Sequence, residues 1–268
     1  MATQGEAARP IRVITLGRFE VTLDGAPLRF VFKVPRKPLA LLKVLLAGGC
    51  NGVTQTSLCA TIWPDLAPAA AARALHITAF RLRGLLGKKS ALIVQEGKVA
   101  LDSTQCWVDA WEFEQALATA RDPSATLWAL RHYRGALLAD SNHPLVVETR
   151  DRMSCKFIRS ISQLGASYER IGDTQSAIDL YLMALDADGG CEDLHRSLMR
   201  CLAQEGQISS VAAAYHRCRA ALQRQYGRDP SPATEQIYAD VCTNATADRL
   251  TDGDIRVSQA HRTLTETN

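Results

Sequence analysis

Five positions recur in one register through the second half of the chain: Leu164 with Leu198, Tyr168 with Leu202, Gly172 with Gly206, Ala177 with Val211, and Tyr181 with Tyr215. The period, about 34 residues, is that of tetratricopeptide helix pairs, whose stacked hairpins bury one another's apolar faces. A glycine at the inter-helix turn lets the two helices pack tightly. Helical periodicity extends from Trp111 to about Asn244, with breaks at glycine, proline or Asp-rich turns. An earlier pair, Trp111–Ala120 and Thr126–Gly135, is expected to join the stack, with an irregular loop over Ala136–Pro144. Trp128, Tyr133, Tyr181 and Tyr215 read as packing residues. From Ala247 the sequence turns polar, and a disordered tail is expected over 247–268.

The first half is patterned differently. Ile11–Leu16 and Phe19–Leu23 read as strands joined at Gly17-Arg18. Asp24-Gly25 is a hairpin signal, because glycine tolerates the positive backbone angles of a tight turn. Leu28-Arg29-Phe30 can supply a third strand. Three helices follow, at Arg36–Ala47, Gln55–Trp63 and Ala69–Leu86, with Trp63 read as a core residue. A hairpin over Leu92–Leu101 closes the series. Three helices and a two-stranded wing are the order of a winged helix-turn-helix. The fold class is thus mainly α with a small β component. Residues 1–10 form an arm, 11–107 a winged helix, 108–246 a helical-repeat domain and 247–268 a tail.

The third helix points to a partner. Leu75, Ala79, Leu82 and Leu86 line one side at helical spacing, and the other side carries Arg73, His76, Ile77, Phe80, Arg81 and Arg83. In a docked winged helix that outer face enters the major groove. Arg73 suits a guanine, since a guanidinium fork matches the O6 and N7 acceptors. His76 can donate to a base or phosphate, and Ile77 and Phe80 can meet thymine methyl groups. Arg81, Arg83 and Lys88, with Lys98 near the wing tip, suit phosphates, which fix register without reading sequence.

Charge supports the division. Through Cys106, Lys and Arg outnumber Asp and Glu by 14 to 6, and beyond it they fall short by 17 to 22. A basic half suits phosphate, and an acidic half would be repelled by it. The eight cysteines are scattered without a Cys-x-x-Cys pair, as for small apolar residues in a reducing cytosol. No run of about eighteen apolar residues suggests a membrane span, and the first residues lack the apolar core of a signal peptide. No P-loop, nucleophile elbow or His-Glu-x-x-His motif occurs. The chain therefore reads as a cytoplasmic non-enzyme without cofactor or metal.

The order of the pieces resembles the antibiotic regulatory protein family of bacterial transcriptional activators, which join a response-regulator-type winged helix to an all-helical bacterial transcriptional activator domain. The stretches that carry the resemblance are IRVITLGRFEVTLDGAPL, RKPLALLKVLLA, IWPDLAPAAAARALHITAFRLRGLLG, CWVDAWEFEQAL, YRGALLAD, DLHRSLMRCLAQEGQISSVAAAYHRCRAAL and YGRDPSPATEQIYADV. They span roughly residues 11–244. The resemblance implies binding to double-stranded promoter DNA, commonly as a homodimer on direct repeats, and recruitment of RNA polymerase. It maps the DNA contacts onto Arg73, His76, Ile77, Phe80, Arg81 and Arg83. Ile77 and Phe80 stand where polar base readers are common in that family. They motivate a second reading, a helical-repeat adaptor whose winged helix contacts protein.

Overall fold

In the computed structural model, which describes residues 9–29 and 34–243, alternation in the first strands builds a small sheet. β1 (Ile11–Ile14) and β2 (Glu20–Leu23) pair antiparallel, from Ile11↔Leu23 to Ile14↔Glu20. Asp24 and Gly25 both take positive φ (46° and 84°), so the chain reverses within two residues. For that reason β3 is Ala26–Pro27, directly after the turn, and not the expected Leu28–Phe30. Leu28 still donates its N–H to the Val21 carbonyl at 2.8 Å, and Phe30 lies outside the described residues.

A fourth strand completes the sheet from far along the chain. β7 (Cys106–Val108) lies parallel to β1, giving the order β3-β2-β1-β7. Between them stand α1 (Arg36–Gly48), α2 (Gln55–Ile62) and α3 (Pro68–Leu85), each within a residue or two of its expected bounds. Leu41, Leu42 and Leu45 of α1, Leu58 of α2, and Leu75 and Leu82 of α3 form their shared core, each at most 4% exposed. Trp63 is half-buried beneath the Lys37 ammonium (5.6 Å to the ring centroid) and stays out of that core, because it caps the short α2 at its surface end. β5 (Leu92–Gln95) and β6 (Lys98–Leu101) form the expected hairpin, joined by β4 (Val53–Thr54) on the far edge of β6.

α4 (Asp109–Thr119) and α5 (Pro123–Leu130) follow and pack on each other. Contacts divide the chain into Met1–Ser160 and Ile161–Asn268, a division that falls inside α6 (Pro144–Arg170). α4 and α5, expected to join the repeat stack, fall by contacts within the first of these units. Tyr133 stacks on Phe157 at 4.2 Å and tilts against Phe113 at 5.3 Å. Trp128 is instead 43% exposed, resting on the His132 ring one helical turn away. The expected loop after Gly135 is tied down: Arg150 donates to the carbonyls of Leu137, Leu138 and Ser141 at 2.5–2.7 Å.

A buried carboxylate joins the sheet to the helices that follow it. Asp109, 6% exposed at the start of α4, accepts from the N–H groups of Thr15 (2.8 Å), Leu16 (3.0 Å) and Ala110 (2.8 Å) and from the Thr15 hydroxyl (2.6 Å). Burial pushes its carboxyl above the usual range, and the four donors oppose that shift without cancelling it.

In the second unit the repeat appears as helix hairpins. The end of α6 is followed by α7 (Thr174–Ala187), then α8 (Glu192–Gln204) and α9 (Ile208–Tyr226), with a last helix over residues 232–243. Gly172 and Gly206 occupy the two inter-helix turns. Leu164, Leu198, Ala177, Val211, Tyr181 and Tyr215 are all buried, while Tyr168 is half-buried. Cys201 and Cys218 sit in this core, their thiols raised by burial to about 11. Cys50, Cys155 and Cys242 are exposed and so do not fill core positions.

Glu192 anchors the Pro230-Ser231-Pro232 segment that leads into the last helix. It accepts from Ser231 N–H (2.5 Å), the Thr234 hydroxyl (2.7 Å) and Arg228 (3.1 Å). Partial burial alone would raise its carboxyl, but these donors outweigh it and hold the group at about 2, down from 4.5. A carboxyl depressed by folding contributes stability above its unfolded value and loses it as pH falls. Melting temperature is therefore expected to fall between pH 4.5 and about 2, and Glu192→Gln to flatten that fall. Parallel pH slopes for the two proteins in thermal melts would remove Glu192 from this role.

Candidate nucleic-acid interface

α3 begins with Pro68 at its first turn, where a missing N–H costs nothing, and continues through an alanine-rich run of high helix propensity. Ala71, Leu75, Thr78, Ala79 and Leu82 form its buried side. The opposite side presents Arg73, His76, Ile77, Phe80 and Arg81 to solvent. Ile77 is 51% exposed and Phe80 74%. Arg73, His76 and Arg81 make no hydrogen bond or ion pair with another described residue, and α3 carries no carboxylate. The outer face thus offers unspent donors and apolar surface to an acceptor-rich partner.

Arg83 is placed differently. It is half-buried, and one N–H donates to the Leu92 carbonyl at 3.2 Å, linking α3 to the first wing strand. Lys88 is half-buried in the connection between them, and Lys98 stands exposed at the start of β6.

The wing is pinned, and sequence reasoning missed how. β4 pairs with β6 through Val53↔Val99 and Thr54↔Lys98. The Gln55 N–H, at the start of α2, donates to the Gly97 carbonyl in the wing turn at 2.8 Å. Thr54, in turn, caps α2 by accepting from Ser57 N–H at 3.2 Å. Gly52 makes this approach feasible: φ is +67°, and a Cβ there would come within 2.7 Å of the Val99 carbonyl. Two residues of strand leave no periodicity to detect; the sole sequence trace is Gly52 before a β-branched pair. The result places Lys98 at a fixed height beside α2.

A family model for the bacterial transcriptional activator domain matches residues 108–242. No curated protein matches the chain. Among solved structures, the chain is similar to "Mycobacterium tuberculosis EmbR in complex with low affinity phosphopeptide", with 20% identity and a TM-score of 0.56 over 94% of this chain and 71% of that one. That likeness is one of fold, and it extends across the winged helix and the helical region together. No described helix is long and apolar enough to cross a membrane.

Proposed function

The chain belongs to the bacterial transcriptional activator domain family, a family of transcriptional regulators, and from that premise we propose that it binds double-stranded promoter DNA through α3 and the wing and activates transcription by contacting RNA polymerase in the cytoplasm. The observation that carries this reading is the outer face of α3, cationic and apolar, free of carboxylate, and set beside a pinned wing lysine. Arg73 and His76 read base edges from the exposed first half of the helix, and Ile77 and Phe80 meet thymine methyl groups. Arg81, Lys88 and Lys98 hold phosphates, and Arg83 does so with the donors left over from the Leu92 carbonyl. Binding as a homodimer on repeated half-sites belongs to the same reading.

Arg73→Ala is expected to weaken specific binding by about 1–3 kcal/mol and to relax preference at one base pair. Arg81→Ala should instead weaken binding to every duplex and flatten its salt dependence. Polarisation titrations against specific and random duplexes over a salt series separate the two. Equal loss at every base pair for Arg73→Ala would deny it a reading role.

The exposure of Phe80 and Ile77 favours one alternative, an adaptor that uses this face against protein. Duplex binding that is absent or insensitive to salt would favour the adaptor.

A further inference from the structure

We infer a seat for one DNA phosphodiester in a hollow between α1 and α3, held by Arg36 together with Arg81; the inference rests on the DNA-binding reading above. The hollow has a volume of about 590 Å³, and among the described residues no carboxylate lines it. Arg36, Lys37 and Arg81 supply three cations to its wall. The Lys37 ammonium is already engaged with the Ile62 carbonyl at 2.6 Å. Arg36 and Arg81 are exposed and bond to no other described residue. They come from different helices, so their convergence on one hollow is not a property of a single solvated helix face.

Three further features suit the backbone of a nucleic acid. α1 starts without a side-chain cap and without an acidic residue in its first turn, so its amide dipoles add to the positive field. Gly84 also lines the hollow, with nothing within 4 Å of where its Cβ would stand. Gly84 is the next-to-last residue of α3, and the open floor it leaves lets a bulky ligand come close to the end of the α3 backbone. Val34, 49% exposed, and Leu85 offer apolar wall to a sugar. Guanidinium forks match phosphate oxygens in pairs. Two such forks from separate helices would fix the angle at which α3 lies in the groove, leaving Arg73 to read.

The test is anisotropy of a labelled duplex with the full chain over a salt series. Arg36→Ala is expected to weaken binding to every sequence by about three- to tenfold and to lower the salt slope by about 0.9. Arg36→Lys should keep the slope, because the charge remains. Gly84→Leu should weaken binding by a similar factor with no charge removed, which a long-range charge effect would not do. An unchanged slope for Arg36→Ala, or unchanged affinity for Gly84→Leu, overturns the seat while an Arg73→Ala defect leaves the DNA-binding reading standing. If Arg36→Ala weakens binding of an acidic peptide and not of duplex, the occupant is protein and the seat is overturned. Absence of salt-dependent duplex binding by the unmodified chain overturns both.

Discussion

Asp109→Ala is expected to lower the unfolding free energy of the first unit by about 3–5 kcal/mol, a large share of the roughly 5–15 kcal/mol that holds a domain together. The substitution removes one acceptor group and strands four donors: the N–H groups of Thr15, Leu16 and Ala110 and the Thr15 hydroxyl. Thr15 is fully buried and Leu16 1% exposed, so water cannot take over without opening the sheet. An unsatisfied buried donor costs about 1–3 kcal/mol, which makes the sum plausible even after partial relaxation. Asp109→Asn should lose less, because its amide oxygen keeps part of the acceptor capacity. Urea denaturation followed by tryptophan fluorescence reads both, and a loss below about 1 kcal/mol for the alanine variant would show that the clasp is dispensable.

Gly165→Leu is expected to destabilise the second unit by about 3 kcal/mol or more. A Cβ on Gly165 would lie 2.3 Å from the Tyr181 hydroxyl and 2.5–2.6 Å from its ring. That ring cannot retreat easily. It is 2% exposed, and its hydroxyl donates to Glu169 at 2.5 Å. Gly165→Ala supplies a test of sign. An exposed helical glycine replaced by alanine gains about 1 kcal/mol; here overpacking should reverse the gain into a loss. Stabilisation by Gly165→Ala in calorimetry would mean that the helices part without cost.

These two sites differ in how far the sequence announces them. The repeat located the Tyr181 and Tyr215 pair and both turn glycines, because a fixed period copies residue types from one hairpin to the next. It could not single out Gly165, since the matching place in the next hairpin is Met199, itself fully buried. The two hairpins solve the same packing problem with different side chains. Likewise, the three helices of the winged part were legible because each is long enough to show its buried stripe. β4 and β7 were not, being two and three residues long with partners supplied by distant sequence. At the candidate interface, the outer positions of α3 followed from the helical wheel, and their exposure agrees for Arg73, His76, Ile77, Phe80 and Arg81. The engagement of Arg83 with Leu92 did not follow, because it depends on where the wing folds back. Nor did Arg36, whose neighbour across the hollow lies on another helix.

The parallel pairing of β7 with β1 also decides where the protein can be divided. A fragment ending at Trp107, where charge balance and periodicity both change, would retain the three helices and the wing but would lack Val108 and Asp109. The β1 strand would then present backbone donors and acceptors along an under-covered edge, the kind of surface that recruits strands from other molecules. Three of the four clasp donors, the N–H groups of Thr15 and Leu16 and the Thr15 hydroxyl, would lose their acceptor in the same cut, and the fourth, at Ala110, would go with it. The winged helix is thus expected to be separable from the rest only as a piece carrying α4 with it, and its solubility should change abruptly with a handful of residues at the truncation point.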